Sequence, residues 1–378
     1  MSLADEISAK AKEIYTDAYS MSIGELMNLY ADAELDIHPE FQRFYRWSGE
    51  QKSKLIESIL LGIPIPNIFV SQRSDGVWDV IDGVQRLSTI FEFVGILRAE
   101  DETVLAPLRL IGTEFLPSLQ DKIWRMEDEE TGKDTEDSFT SEQRLFFKRS
   151  KIDVKIVKKE SDDSAKYELF QRLNTGGSDL SHQEVRNCLM LMINPEFYRW
   201  LNNIRCTNEG FIQTTAILPS KAKVEQYDME LLSRLLIYRH VDLSRYRSTK
   251  DLQVMIGDEI KSMCSNPPFD LLEEQNTLDR TFSILSNELD EDVFRKFNIE
   301  KSRFEGAFSV SIFEAITPGI SKNLNRIQAW KPGRLCETIK SLSSNPVFIE
   351  NTSTRGVRPI NRARNLISLS ERLFSDEA

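Results

Sequence analysis

Histidine and cysteine are scarce in this 378-residue chain, with three of the first and four of the second. Cys188, Cys206, Cys264 and Cys336 are scattered and form no CxxC pair. That indicates neither a zinc site nor a disulfide framework, and buried free thiols are the expected state. His38, His182 and His240 lie far apart, without the clustered His, Asn, Asp or Cys of a zinc-type or HNH-type nuclease. No Ser-His-Asp or Cys-His pattern can be argued from spacing, and no GxxxxGK(S/T) phosphate loop occurs. Long apolar runs are missing too. The longest, SILLGIPIP, is broken by prolines and falls far short of the roughly 18 residues that span a bilayer. The N-terminal MSLADEISAKAKEIYTDAYS is acidic and amphipathic, with neither the basic start nor the apolar centre of a signal peptide. A cytoplasmic protein without a membrane partner is expected. Positive charge is also short, with 48 Lys and Arg against 60 Asp and Glu for a net charge of −12. Duplex DNA calls for a basic face, so this balance lowers the case for stand-alone DNA binding and leaves room only for a local basic patch.

What is present is ordinary for a globular protein: 40% hydrophobic and 29% charged residues. The length suggests two domains, or one with a large appendage. Helices are expected around residues 3–19 and 22–31, the second opened by a Ser N-cap in SIGEL. ELDIHPEFQRFYRW reads as extended, because Pro39 disfavours helix at His38. SGEQKSKLIESILLG reads as a helix: Ser48 and Gln51 have capping-box spacing, Leu55, Ile56, Ile59 and Leu60 form a stripe, and Gly62 ends it. In PIPNIFVSQRSDGVWDVID, two β-rich runs flank the turn signal SDG, which predicts a hairpin. QRLSTIFEFVGIL follows as a helix. Residues 99–140 are irregular and acidic, with EDEETGKDTED as a solvated loop. KIDVKIVKKE alternates as a strand, DDSAKYELFQRLN reads as a helix, and TGGSDLSHQEVRNCLMLM as a Gly-rich turn into another. From about residue 194 only helical patterns follow, among them YDMELLSRLLIYR and FEGAFSVSIFEAI. The fold class expected is α+β, with a mixed domain over 1–200 and a mostly helical domain over 201–378.

Four stretches carry residues that a core does not need. The first is VWDVIDGVQRLSTIFEFV, where Asp-Gly-x-Gln-Arg stands at the join of a strand and a helix. A helix N-terminus offers backbone N–H groups and a partial positive charge to a phosphate. Gly83 permits close approach, and Arg86 can grip phosphate oxygens with two donors. Asp82 can accept from a ribose or hold a metal ion. Gln85 can orient water, while Ser88 and Thr89 add hydroxyls. The plain alternative, a turn dipeptide followed by a surface arginine, weighs about equally. The second is PEFQRFYRWS, where Arg43 and Arg46 are interleaved with aromatics, suiting either a nucleotide or a core segment with solvated arginines. The third is LFQRLNTGGSDLSHQEVRN. Asn174 and Thr175 precede Gly176 and Gly177 and can face a ligand or metal ion, whereas Ser181 and Glu184 read as a capping box. The fourth, TSTRGVRPINRARNLI, places Arg355, Arg358, Arg362 and Arg364 within ten residues. Either phosphate or nucleic-acid contact, or pairing with acidic neighbours at a helix start, would account for it.

FQRFYRW, IDGVQRLSTI and LFQRLNTGGSDLSHQEVRN, in that order and spacing, resemble the DGQQR-domain family, which includes the GmrSD-type modification-dependent restriction proteins and a phosphorothioation-dependent defence effector. YDMELLSRLLIYR and TSTRGVRPINRARNLI are similar to the family's helical part, so the resemblance covers roughly residues 20–370. It implies a ParB/sulfiredoxin-like N-terminal domain that binds an NTP with Mg²⁺ and, in several members, hydrolyses it. The motif carries over as Asp82, Gly83, Gln85 and Arg86, but Val84 stands where the family usually has Gln, which would weaken hydrolysis if that Gln contacts nucleotide or water. By position, Asn174 matches an Asn that helps hold the metal ion in the related ParB site. The HNH nuclease domain of restriction members has no counterpart here, so within a defence system the nuclease or effector is expected to be another polypeptide, or there is none.

Three readings follow. The first is an NTP-binding and NTP-hydrolysing component of a prokaryotic anti-phage defence or restriction system: Arg86 with Arg43 or Arg46 holds phosphates, Asp82 and Asn174 hold Mg²⁺, and Gln85 positions water. The second is a non-catalytic, nucleotide-gated sensor or DNA-recognition subunit that switches on a partner. The third, ranked last, is a stand-alone ParB-like DNA nuclease. Which NTP is used, whether DNA is reached directly or through a partner, and whether the chain forms homo-oligomers stay open.

Overall fold

The computed structural model describes residues 2–3, 16–37, 47–99, 102–128, 131–158, 181–353 and 357–375. The chain divides into two compact units, Met1–Asp179 and Leu180–Ala378. The first is mixed and the second mostly helical, so the fold class is α+β.

The first unit runs β1 (Thr16–Ser22), α1 (Ile23–Ala31), β2 (Leu35–Asp36), α2 (Gly49–Leu61), β3 (Ile68–Gln72), β4 (Trp78–Asp82), α3 (Val84–Val94), α4 (Ser141–Arg149) and β5 (Lys151–Val157). Its five strands form one sheet in the order β1-β5-β3-β4-β2, with β1/β5 and β3/β4 antiparallel and β3/β5 and β2/β4 parallel. The SDG hairpin forms as its sequence predicts, joining β3 to β4. Capping boxes start α2 at Ser48 and Gln51, and α4 at Thr140 and Gln143. Ser22 caps α1, and Gly62 ends α2 in the left-handed region with φ 68°. β5 alternates as expected: Ile152, Val154 and Ile156 are buried, while Lys151, Asp153 and Lys155 are exposed. These three pack with Ile68, Val70 and Val80 of the sheet and Leu87, Ile90, Phe91 and Phe93 of α3 into one core. Phe93, Trp124, Phe139 and Phe147 form an edge-to-face aromatic cluster within it, a geometry aromatic rings prefer.

Two expectations are corrected. Residues 16–19, expected at the end of a helix, belong to a strand, because all seven positions from Thr16 to Ser22 pair antiparallel with β5. Tertiary pairing overrides the weak helical pattern there. The second unit is not wholly helical: a two-stranded hairpin, β6 (Lys296–Asn298) and β7 (Arg303–Glu305), interrupts it. The expected helix DDSAKYELFQRLN and most of ELDIHPEFQRFYRW lie outside the described residues.

The second unit opens with α5 (His182–Ile193), α6 (Pro195–Thr207), α7 (Glu209–Thr214), α8 (Ser220–Val224), α9 (Tyr227–His240), α10 (Leu252–Ser265) and α11 (Leu271–Leu289). After the hairpin come α12 (Val310–Lys322), α13 (Leu324–Gln328), α14 (Arg334–Ser341), α15 (Pro346–Ser353) and α16 (Pro359–Phe374). α12 packs closely along α16, where Gly319 abuts the Ser370 backbone and leaves no room for a Cβ. Cys188 and Cys264 are buried here as expected, and burial pushes their thiols up, Cys264 to about 12. Cys206 is exposed, contrary to that expectation. No helix among the described residues is long and apolar enough to cross a membrane.

Candidate functional site at the strand-to-helix join

The Asp-Gly-x-Gln-Arg stretch sits where the sequence places it, between the end of β4 and the start of α3. The β3/β4 register shifts here: Val70 pairs with Val80 and Phe69 with Asp82, so Ile81 is an extra residue on β4. Val80 and Ile81 are both buried in succession, and Asp82 emerges partly exposed at the strand end. Bulges of this kind re-aim a side chain where a strand terminates.

Gly83 is the N-cap of α3 with φ 103°, and no side chain caps the helix. Its left-handed backbone favours glycine. A Cβ there would collide with Ile68 Cδ1 and approach Arg86 Nη2 to 3.2 Å. Arg86 folds back over this glycine: Nη2 donates to Asp82 Oδ2 at 2.7 Å and to the Asn67 carbonyl at 3.2 Å. Its Nε–H is buried and has no acceptor. The Arg86 side chain is 13% exposed and that of Asp82 28%, so the pair is largely withdrawn from solvent without being sealed.

The remaining candidates are distributed unevenly. Gln85 is partly buried in the first turn of α3. Val84 is partly buried against the hydrophobic core, so an apolar side chain serves packing at this position. Ser88 and Thr89 are fully buried on α3, and Thr89 Oγ1 donates to the Gln85 carbonyl at 2.7 Å. Neither hydroxyl is accessible to a nucleotide, which corrects their place among the candidate contacts. Arg43, Arg46, Asn174, Thr175, Gly176 and Gly177 lie outside the described residues.

Two residues that the sequence reading missed stand in the row of Asp82. Phe69 pairs with Asp82 on one side and with Lys155 of β5 on the other. Directly opposed residues in neighbouring strands share a face of the sheet. The flanking Ile68, Val70, Val154 and Ile156 are buried in the core, so Phe69 and Lys155 project from the opposite face. Lys155 Nζ lies 5.6 Å from the centroid of the Phe69 ring. An aromatic ring and an ammonium group therefore stand in one row with the motif aspartate. No sequence signal announces them, because three separate strands contribute the row.

The other polar motifs have structural work in the second unit. Ser181 and Glu184 form the expected capping box of α5. The Gln183, Arg186 and Asn187 side chains of the same motif are buried. Arg186 donates to Gln183, to Gln253 and, at 2.6 Å, to Glu230, while Asn187 donates to Gln226. Glu230 also accepts from Arg234, which reaches Glu314 at 3.0 Å, and Glu314 accepts from Tyr238 and Arg362. Burial opposes ionisation of Glu230, yet the Arg234 and Arg186 guanidinium groups hold it below the usual carboxylate range. Arg362 is thus bound to a buried carboxylate rather than presented to nucleic acid, and Arg364 donates to the Leu243 and Tyr246 carbonyls. Of the predicted phosphate contacts in this segment, Arg358 is exposed, with a 3.4 Å bond to the Ser248 carbonyl, and Arg355 lies outside the described residues.

Among the described residues, no group of three or more His, Cys, Asp or Glu side chains is arranged to hold a metal ion. No curated protein and no solved structure matches the chain. Residues 23–191 match the family model described as the GmrSD restriction endonuclease N-terminal domain, a match running from α1 into α5. Residues 23–191 therefore form a GmrSD-type N-terminal domain.

Proposed function

We propose that the first unit is the NTP-binding module of this restriction and phage-defence protein, with the strand-to-helix join around Gly83 as its phosphate site. The observation that carries the reading is the conjunction at Gly83: an uncapped helix N-terminus, a left-handed glycine with no room for a Cβ, and a buried Arg86 Nε–H without an acceptor. Helix N-termini and glycine turns suit phosphate because their N–H groups and dipole favour negative charge. Phosphate oxygens would draw on the first-turn N–H groups and on Arg86, and Lys155 would add a cation from β5. Phe69 offers a ring on which a base can stack. In the proposed hydrolysis, Gln85 positions water. Bound Mg²⁺ supplies neutralisation of the phosphate charge, and Asp82 would hold it with Asn174. Asp82 accepts from Arg86 Nη2 at 2.7 Å, so taking a cation requires this pair to loosen as phosphate arrives at Arg86. A separate nuclease or effector, and DNA reached through it, complete the proposed system.

A second reading, a nucleotide-gated sensor without turnover, is favoured by the packing of Val84 into the core and by the closed Asp82–Arg86 pair. Calorimetry with each NTP and Mg²⁺, followed by phosphate-release assays, separates the two. Binding lost in Arg86→Ala and hydrolysis reduced roughly 10²-fold or more in Asp82→Asn support the NTPase. Binding without turnover supports the sensor. If no NTP binds, the phosphate site is refuted.

A further inference from the structure

The helical unit contains a cavity of about 320 Å³ bounded by the C-terminal end of α9, the segment that follows it, the end of α12 and one face of α16. That volume is at the small end of ligand pockets. Arg239, His240, Lys322 and Arg364 line it, with Asp242 and Glu371 as the opposing charges. Lys322 is engaged by Glu371 at 2.6 Å, and Asp242 accepts from the backbone and hydroxyl of Ser244. Arg239 is held by Glu274 through Nε at 2.6 Å and Nη2 at 3.1 Å, and His240 Nε2 lies 3.1 Å from the same carboxylate.

Donor capacity remains after these pairings. The Arg239 side chain is only 10% exposed, and its Nη1 is buried without an acceptor. Arg364 spends Nη2 on two carbonyls, yet its Nε is likewise buried without one. Nearly all buried donors in folded proteins find a partner, so two guanidinium N–H groups left over on residues lining one cavity point to a missing acceptor. Guanidinium groups match the geometry of phosphate oxygens better than that of neutral acceptors.

We propose that this cavity binds a phosphate group, free or borne by a small molecule, held by Arg239 and Arg364. The site lies wholly within the second unit and is independent of the phosphate site proposed at Gly83.

The test uses the full chain in calorimetric titrations with inorganic phosphate and with a nucleoside monophosphate, at constant ionic strength and with chloride as control. Arg86→Ala is the background, so that binding at the first unit does not contribute. Saturable binding of either probe, weakened roughly tenfold or more by Arg364→Gln, is the expected result. If both bind equally, phosphate alone is recognised; a preference for the nucleotide assigns the rest of the cavity to its organic part. Because Arg364 also holds two carbonyls, Ser368→Trp serves as a second variant: Ser368 is exposed at the cavity and a large ring there blocks it while leaving the hydrogen bonds of Arg239 and Arg364 in place. Absence of binding by both probes, or binding unchanged in Arg364→Gln and Ser368→Trp, overturns the proposal.

Discussion

Replacing Gly83 by alanine probes the strand-to-helix join most directly. The backbone φ of 103° costs an L-residue about 1–2 kcal/mol. The new Cβ also collides with Ile68, a fully buried core residue, and crowds the Arg86 guanidinium. Overpacking of that kind costs about 1–3 kcal/mol. The sum is ~2–5 kcal/mol, or roughly 4–20 °C in the midpoint of thermal unfolding for a unit of this size. Gly76 supplies the control. Its φ is 96°, but nothing lies within 4 Å of a Cβ added there, so Gly76→Ala should show the backbone cost alone. Circular dichroism against temperature and urea, on both variants and the unaltered chain, gives the two losses. Gly83→Ala should exceed Gly76→Ala by about 1–3 kcal/mol and should weaken nucleotide binding, which Gly76→Ala leaves alone. A loss at Gly83 below about 0.5 kcal/mol, the range of an ordinary surface change, would refute the close packing inferred for this turn.

Further predictions concern the second unit. Glu314 is fully buried and receives Arg234, Tyr238 and Arg362, so Glu314→Ala should cost about 3–5 kcal/mol in urea unfolding. Arg362→Met should cost much less, since that side chain is 29% exposed; equal losses would contradict the network. Glu230 and Glu274 titrate below their ordinary 4.5 in the folded state, which therefore binds fewer protons than the unfolded chain. Their stabilisation is fully present above pH 4.5 and is lost as pH falls through the lower folded-state values. Urea midpoints measured from pH 7 down to 3 should drop on that limb, and a flat profile counts against the assignment. A thiol reagent should label Cys206 rapidly in the native protein and reach Cys188 and Cys264 only on unfolding. Labelling of Cys264 at the rate of Cys206 would show its site to be open.

The local grammar of this chain is legible because its signals act over three or four residues. Ser48 with Gln51 and Ser181 with Glu184 form the capping boxes their spacing predicts. Gly62 ends its helix, SDG turns its hairpin, and the alternation of residues 151–157 becomes β5. The Asp-Gly-x-Gln-Arg join was legible too, as a strand, a glycine turn and a helix. What misled were signals whose meaning depends on distant partners. TDAYSMS looks helical until β5 supplies a strand to pair with. Ser88 and Thr89 look like extra hydroxyls for a ligand until α3 turns them into the core. The arginines of RPINRARN fit a phosphate contact or pairing with acidic neighbours equally well in sequence, and only the fold chooses, with Glu314 holding Arg362 and two backbone carbonyls holding Arg364.

The sequence by itself determined where elements begin and end, and that Asp82, Gly83 and Arg86 meet at one turn, because residues so close in the chain meet through local geometry. It also determined the absences, no metal-ligand spacing and no Walker-type loop, that narrow the chemistry. Only the tertiary structure decided that Phe69 and Lys155 join the row of Asp82, and that Arg239 and Arg364 share a cavity. Those outcomes depend on strand register and helix packing between residues tens to more than a hundred positions apart, where many pairings compete and only burial of the common core selects one.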